Sequence, residues 1–424
     1  MFVKRPLVIG GGISGLVACI ELERLGHAPI LVEKEEELGG RLKTDWVEGV
    51  PIDRGFQILL TAYPEVKRLL DVNALDPIWL DSAARVFRAS GGAPVLVGDP
   101  RRRISDLAAT WSSGLVSGKD AWTLWRHLQG IRSPRRVQKL FPERATQRTT
   151  AEMLESKGYS IEFIDEFLRP FFGGIFLDRK LMVPESMFNF VLRMFASGQA
   201  ILPRQGMAVV VNQLRSKLQQ TDFRLGAQVR WVDEDGCCIR LDTGNTLEGD
   251  GVIMATPGWT RSIEGEWIKD NALNWNRTVR YVWSLSADVK TFDRPLIGLT
   301  PGSKRITNMH FFRDLNAKWP DWVSVTATSG KDDIVDIADD HEMRQEFKLG
   351  TGIVVRETIA MQDIPMALPQ VKQQVYEPAL ETTWLSSGVL KAGDDRSNPS
   401  FNGAARSGAQ AAIAWHNNLR EHAI

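Results

Sequence analysis

A glycine motif between two apolar runs near the N-terminus constrains the fold of this chain more than any other feature. Residues 2–9 predict a β-strand, residues 14–25 a helix that ends before Gly26, and residues 28–32 a second strand. The turn between the first strand and the helix contains three glycines at G-x-G-x-x-G spacing: Gly10, Gly12 and Gly15. The order predicts a βαβ unit with two parallel strands.

Each residue of this motif has a physical task in binding a dinucleotide. Gly10 permits the tight turn, Gly12 lets the backbone approach a pyrophosphate at the helix N-terminus, and Gly15 lets helix and strand touch. Glu33 closes the second strand, where its carboxylate accepts a ribose hydroxyl and repels a 2′-phosphate. The motif therefore predicts a dinucleotide site, although it does not distinguish NAD from FAD.

Composition and charge exclude several other classes of protein. The 52 basic residues balance the 52 acidic ones among 424, so no polyanion-attracting field exists and we predict no nucleic-acid partner. The three cysteines are Cys19 and the adjacent Cys237 and Cys238, which favours a reducing, cytoplasmic location. No apolar run is long enough for a transmembrane helix. The six histidines show no metal-ligand spacing, and we predict no metal.

A second glycine-rich strand, turn and helix lies near the C-terminus, at residues 388–412. A strand-like run enters a turn at Gly393 and Asp394, and a helix of small residues then starts near Asn402 and Gly403. The spacing differs from the first motif, so this is not a second phosphate fingerprint. By itself, the segment is equally consistent with an ordinary loop and helix cap.

Several further blocks follow one another along the chain: "KEEELGGRL" and "VPIDRGFQIL", "LPRQGMAVVVNQL" with Gln205 in place of a glycine, "AQVRWVDEDG" with "GDGVIMATP", and "KAGDDRSNPSFNGAARSGAQAA". In this order they resemble the flavoprotein superfamily of monoamine oxidases, protoporphyrinogen oxidase and phytoene desaturase. Together they cover the length of the chain. The resemblance implies an FAD-dependent oxidoreductase.

The resemblance assigns cofactor contacts along the whole chain. The first motif would hold the adenosine half of FAD, and the C-terminal turn and helix would face the flavin ring, whose charge on reduction suits a helix N-terminus. The predicted cofactor-binding residues are Gly10, Gly12, Ile13, Ser14, Gly15, Glu33, Lys34, Gly40, Arg41, Gly55, Phe56, Val229, Ala255, Gly393, Asp394, Asn402, Gly403 and Ala404. The candidates for the flavin face are Gly55, Phe56, Gln57 and Asn402.

The attachment of the flavin also follows from the resemblance. Covalent members of the superfamily use a cysteine shortly before the C-terminal block, and this chain has no cysteine after Cys238. We therefore predict non-covalent FAD.

The predicted fold class is α/β, with a Rossmann-type, GR2-like FAD-binding domain and an α+β substrate domain. The FAD-binding domain combines a parallel sheet with an added antiparallel hairpin, and both domains are discontinuous in sequence. We assign residues 1–75, 201–260 and 376–424 to the FAD-binding domain. Residues 76–200, expected to be largely helical, and residues 261–375 form the substrate domain.

The central region favours an apolar or amphipathic substrate, similar to a carotenoid or a tetrapyrrole. Residues 167–195 are rich in phenylalanine, most of which we expect in a helical core. Amine oxidases of the superfamily commonly carry a lysine on a strand like "TVRYVWSLS", where this chain has Arg280. An amine or amino-acid oxidase, with Arg280 or His310 at the substrate, remains an alternative, as does a non-redox escort protein. Oxygen and a quinone are both candidate electron acceptors.

One surface segment suggests contact with a membrane. Residues 101–139 interleave Trp111, Trp122 and Trp125 with arginines, a pattern that suits a helix at a bilayer interface. A lid helix with ordinary arginines is the alternative interpretation. No feature of the sequence selects an oligomeric state.

Overall fold

The computed structural model describes residues 3–132, 137–141, 148–261, 267–269, 274–286, 289, 294–329, 336–371 and 373–421. The strands are β1 Leu7–Ile9, β2 Ile30–Val32, β3 Thr44–Val47, β4 Val50–Asp53, β5 Leu59–Leu60, β6 Pro77–Trp79, β7 Ala83–Val86, β8 Val95–Gly98, β9 Ala200–Pro203, β10 Asp222–Arg224, β11 Val229–Val232, β12 Cys238–Leu241, β13 Thr246–Glu248, β14 Val252–Met254, β15 Trp259–Arg261, β16 Trp267–Lys269, β17 Trp275–Leu285, β18 Ile297–Leu299, β19 Ile306–Phe311, β20 Trp322–Thr328, β21 Val355–Pro369, β22 Trp384–Ser386 and β23 Val389–Lys391.

The α-helices are α1 Ile13–Arg24, α2 Pro64–Leu69, α3 Asp106–Ser112, α4 Gly118–Ile131, α5 Thr150–Lys157, α6 Ile161–Phe163, α7 Arg169–Phe176, α8 Glu185–Ser197, α9 Ala208–Arg215, α10 Phe312–Leu315, α11 Asp340–Thr351, α12 Leu380–Thr383 and α13 Phe401–Glu421. A π-helical stretch at Ile164–Leu168 joins α6 to α7.

A six-stranded sheet forms the centre of the first part of the fold. Its order is β10-β2-β1-β14-β23-β22, and every neighbouring pair except β22 with β23 is parallel. β1, α1 and β2 form the βαβ unit that the glycine motif predicts, with strands shorter than the apolar runs. The C-terminal β23 pairs with β14 beside β1, so strands from the two ends of the chain meet in one sheet.

Helix α13 packs on α1 at Gly408, and Gly15 lets α1 lie against the turn at Gly10. A Cβ on Gly408 would lie 2.1 Å from the carbonyl oxygen of Ser14, and one on Gly15 would lie 1.9 Å from that of Gly10. A side chain at either position would therefore push α1 away from its neighbour. The contact confirms that the N-terminal and C-terminal motifs lie side by side.

An antiparallel sheet and a larger mixed sheet, in which β18 and β7 are parallel, complete the main architecture. β11, β12 and β13 form the predicted hairpin, extended by β16 and β15. A larger sheet has the order β21-β17-β20-β19-β18-β7-β8. Its last two strands come from residues 83–98, so the segment expected to be largely helical also supplies sheet edges. The sequence of residues 83–98 has short runs separated by glycine turns, so its periodicity did not distinguish strands from helices.

The phenylalanine-rich region is hydrophobic core, as expected. Phe163, Phe172, Phe176, Phe188 and Phe190 are all at most 2% exposed. Phe172 and Phe188 meet with ring centroids 4.3 Å apart, and the helices that carry them pack through such contacts. The burial of these rings stabilises the helical layer.

Candidate active site

The first motif forms an open cradle at the N-terminus of α1. Gly12 is the N-cap residue, in extended backbone, and no side chain caps the helix. A Cβ built on Gly12 would meet no atom closer than the Gly40 Cα, 4.0 Å away. Free amides at a helix start, with space above them, suit a phosphate group. Ile13 and Ser14, in the first turn, are buried.

The Glu33 carboxylate lies beside this cradle and is buried. Its Oε2 accepts a hydrogen bond from the amide of Gly11 at 2.6 Å, and its Oε1 accepts one from the amide of Glu35 at 3.0 Å. Each oxygen keeps a further lone pair for a hydroxyl donor. The position therefore fits a ribose contact next to the glycine turn.

The other residues predicted to contact the adenosine half of FAD differ in their distance from the glycine turn and in their exposure. Ala255 follows β14, donates its amide to the carbonyl of Ile9 and borders Gly10 and Gly15. Val229 is buried at the start of β11, two residues after an amide that binds the Glu33 carbonyl. Lys34 is exposed and its ammonium pairs with Glu35 at 3.2 Å. Only Lys34 of these is directed to an ion pair on the surface.

An ion pair joins the N-terminal loop to the C-terminal turn. Nη2 of Arg41 donates to Oδ1 of Asp394 at 2.7 Å, and Nη1 of Arg41 donates to the carbonyl of Ala367 at 3.1 Å. The amide of Gly393 donates to Oγ of Ser407 on α13, which fixes the turn against the helix. Arg41, Asp394 and Gly40 thus lie together next to the cradle at Gly12.

The turn predicted to face the flavin is held from several sides. Gly55 has φ +80°, its amide donates to Oε1 of Gln362 at 3.3 Å, and its carbonyl accepts from Arg280 at 3.3 Å. Gln57 donates through Nε2 to the carbonyls of Arg41 and Arg54, at 2.8 and 2.9 Å. Gln57 therefore ties this turn directly to the Arg41 loop.

Asn402 has a structural contact that the sequence did not indicate. Its side chain is fully buried, and Oδ1 accepts a hydrogen bond from the amide of Glu65 in the first turn of α2 at 3.1 Å. Gly403 and Ala404 follow it in α13, where a Cβ on Gly403 would lie 2.0 Å from the carbonyl of Asn398. Asn402 thus holds α2 against the start of α13.

A small cavity of about 30 Å³ adjoins the Gly55 to Gln57 turn. Apolar side chains form most of its wall: Phe56, Ile78, Leu202, Phe312, Leu315 and Trp319. The polar side chains that line it are those of Asp53, Gln57, Arg280 and His310. An apolar cavity with a few convergent polar groups is the usual form of a small-molecule site.

Three buried titratable groups line this cavity: Arg280 and His310, both 3% exposed, and Asp53, 8% exposed. Burial lowers the pKa of Arg280 to about 10, against the nearby Asp53 charge, and the guanidinium stays charged at neutral pH. Burial, followed by repulsion from Arg280, lowers the pKa of His310 well below its usual value. The cavity therefore combines a cation with a neutral imidazole.

Asp53, in the block "VPIDRGFQIL", accepts a hydrogen bond from a backbone amide. Its Oδ1 accepts from the hydroxyl of Thr44 and from the amide of Met207, both at 2.6 Å, at the start of α9. The sequence did not indicate this cap, because the residues are far apart in the chain. The aromatic residues Phe312 and Trp319 were also missed, since they stand in no motif.

The surface segment predicted to meet a membrane forms α3 and α4, and residues 133–136 of it lie outside the described residues. Trp111, Trp122 and Trp125 are all exposed, and the rings of Trp122 and Trp125 stack 4.8 Å apart. The Trp111 ring lies beside Gly118, one turn before Trp122. Within the described part of the chain, no helix is both long and apolar enough to cross a bilayer.

The fold is that of an α/β protein with mixed sheets, and a family comparison identifies the class of protein. The chain belongs to the family of flavin-containing amine oxidoreductases, whose model matches residues 13–278.

Individual relatives resemble this chain in part of its length or in fold. Polyamine oxidase 5 of rice is 38% identical over 21% of this chain and 17% of its own length. Coproporphyrinogen III oxidase of Bacillus subtilis is 24% identical over 60% of each chain. The matches to these curated relatives thus span less than two thirds of their length. An oxidoreductase structure from Methanosarcina mazei shares the fold, with a TM-score of 0.69, 16% identity and coverage of 95% and 98%.

Proposed function

We propose that this protein binds FAD non-covalently and oxidises or desaturates an apolar or amphipathic small molecule. The single observation that carries the proposal is the position of the apolar cavity, which shares Phe56 and Gln57 with the turn predicted to face the flavin. We infer a Rossmann-type, GR2-like arrangement for the parallel sheet and its hairpin, with the domain ranges given above.

Residues from both ends of the chain would hold the cofactor. The amides of Gly12, Ile13 and Ser14 would bind the pyrophosphate, and Glu33 would accept a ribose hydroxyl. Arg41 adds a positive charge to the same place, and Asp394 an acceptor for a hydroxyl of the linking chain. When bound, the flavin supplies the acceptor for a hydride from the substrate.

The protein's own part in the chemistry is to exclude water and orient the substrate. Phe56, Phe312 and Trp319 surround an apolar group, and Phe56 contacts the His310 ring with centroids 5.0 Å apart. No nucleophile is needed for such an oxidation. One relative is named a polyamine oxidase and another a coproporphyrinogen III oxidase. Amines and tetrapyrroles are therefore the two substrate classes to compare.

An amine oxidase is the second candidate, and the charge of the cavity disfavours it. The buried guanidinium of Arg280 would repel an ammonium group, and the Asp53 oxygen Oδ1 is engaged by Thr44 and Met207. A non-redox escort is disfavoured by family membership and by the combination of cradle and C-terminal turn.

Substrate reduction of the bound flavin tests the function. Purified protein is mixed without oxygen with a carotenoid, a porphyrinogen and an amine, and the visible flavin absorption is followed. Bleaching by the carotenoid or the porphyrinogen supports the proposal. Bleaching by the amine alone establishes the second candidate, and a colourless protein overturns both.

We also propose that the face formed by Trp111, Trp122 and Trp125 contacts a membrane peripherally. Exposed indole rings grouped on one face favour the interface between lipid and water. Such a contact would bring a lipophilic substrate to the protein.

A further inference from the structure

Arg280 is a buried cation that forms no ion pair with any described residue, although the charge of Asp53 lies nearby. On β17, its Nε donates to Oγ of Ser324 at 2.8 Å, and its Nη1 donates to the carbonyls of Asp53 and Gly55. Nη2 has no hydrogen-bond partner among the described residues, and no carboxylate there forms an ion pair with this guanidinium. A desolvated charge in this state gains greatly from an anionic ligand.

His310 provides a second, independent observation at the same cavity. It lies on β19, is 3% exposed, and its Nδ1 has no hydrogen-bond partner within the described chain. Phe56 and Phe312 hold the ring in place, with centroid distances of 5.0 and 5.2 Å. A buried, unpaired ring nitrogen costs free energy, and the side chain that carries it lines the cavity.

The acid at the cavity does not satisfy either group. Asp53 is the one carboxylate among the described lining residues, and its Oδ1 is occupied by the Thr44 hydroxyl and the Met207 amide. The remaining wall is mainly apolar and aromatic. The cavity is thus lined by a cation and an imidazole that form no hydrogen bond with Asp53, and by hydrophobic surface elsewhere.

We propose that Arg280 and His310 form a carboxylate-binding subsite, so that the substrate is an amphipathic carboxylate. Nη2 of Arg280 donates to one carboxylate oxygen, and a ring nitrogen of the neutral imidazole donates to the other. Phe312 and Trp319 cover the apolar remainder. This inference rests on the proposed function for its chemistry, but the binding of the anion is separable from it.

A matched set of probes tests the subsite on the purified, cofactor-loaded protein. The probes are 4-fluorophenylacetate, 4-fluorophenethyl alcohol and 4-fluorophenethylamine, which differ in the charge of one group, and ¹⁹F NMR titration measures their affinities. We expect the carboxylate to bind at least about tenfold more tightly than the alcohol, and the amine most weakly. Equal affinities, or tighter binding of the amine, would overturn the subsite.

Variants locate the effect. Arg280→Met should reduce carboxylate affinity about tenfold or more while leaving alcohol affinity unchanged. Arg277→Met is the control, because Arg277 stands on the same strand but pairs outside the cavity with Asp363 at 2.7 Å. His310→Phe, which keeps an aromatic ring, should weaken carboxylate binding less. Retained carboxylate preference in Arg280→Met contradicts the proposal, and if this variant does not fold, the probe set on the unaltered protein decides.

Flavin content measured on the same samples separates this inference from the proposed function. A yellow protein that substrate reduces, but that shows no carboxylate preference, overturns the subsite alone. A colourless protein that still prefers the carboxylate supports the subsite and overturns the oxidoreductase function.

Discussion

Arg41 donates a hydrogen bond of 2.7 Å to Asp394, across 353 positions of sequence. The carboxylate is buried and the guanidinium is half-exposed, so the pair links the loop beside Gly12 to the C-terminal turn. Loss of one partner leaves the other charge uncompensated, which is costly in the buried case. This contact gives the two ends of the chain a shared role at one site.

Asp394→Asn should weaken FAD binding by about tenfold, because it removes the charge that orients Arg41 and a strong acceptor. The measurement is titration of the apoprotein with FAD, followed by flavin fluorescence. Asp395→Asn is the matched control, since Asp395 belongs to the same turn but pairs with Lys391 at 2.8 Å. An equal loss in both variants would indicate that the turn alone, and not the Asp394 carboxylate, matters.

Gly12→Val should abolish FAD retention while stability changes by no more than about 1 kcal/mol, because the added side chain occupies the open space of the cradle. Gly15→Ala should instead cost about 3 kcal/mol of stability, since its Cβ would lie 1.9 Å from the Gly10 carbonyl. Flavin content and chemical denaturation are measured for both. Full flavin content in Gly12→Val would refute the position of the pyrophosphate.

Stability should fall as pH falls from about 6.5 to about 4, in part through His127 on α4. Burial, with the nearby Lys157 charge, lowers the pKa of His127 to about 4, so the unfolded chain binds a proton that the folded one excludes. The loss reaches about 3 kcal/mol at the acid end. His127→Gln should flatten this part of the denaturation profile, and the exposed His341→Gln should not. Identical profiles for all three proteins would contradict the assignment.

Trp122→Ala combined with Trp125→Ala should reduce flotation with anionic liposomes. Trp46→Ala is the control, because Trp46 and Trp122 are both 57% exposed but Trp46 lies on β3. The rings of Trp122 and Trp125 would bury apolar surface in the membrane interface, whereas we expect the ring of Trp46 to stay in water. No flotation of the unaltered protein would remove the membrane proposal.

Local patterns in the sequence predicted the parts of the fold that depend on local chemistry. The turn at Gly10, helix α1 and the strand ending before Glu33 follow from glycine spacing and apolar runs. The family resemblance then predicted that Asp394 and the N-terminal loop contact the same cofactor. The packing of Gly408 on Ser14 agrees with this but needed the structure, because sequence distance carries no contact information.

The cavity was the least predictable part of the site. Arg280 stood out as a departure from the lysine of related oxidases, but its acceptors include backbone carbonyls, which no sequence pattern identifies. Asn402 is a similar case, since its bond to the Glu65 amide arises from the packing of α13 on α2. Tertiary contacts of this kind decide whether a polar residue faces a ligand or the protein itself.

The proposal that this protein binds FAD non-covalently is tested by the amount of flavin on the purified protein and by how that flavin is attached. The protein is denatured in acid, the pellet and the supernatant are separated, and flavin in each is identified by chromatography and mass spectrometry. We expect FAD in the supernatant, close to one molecule per chain, and a colourless pellet. A yellow pellet would contradict non-covalent binding, and the absence of flavin from both fractions would contradict the function itself.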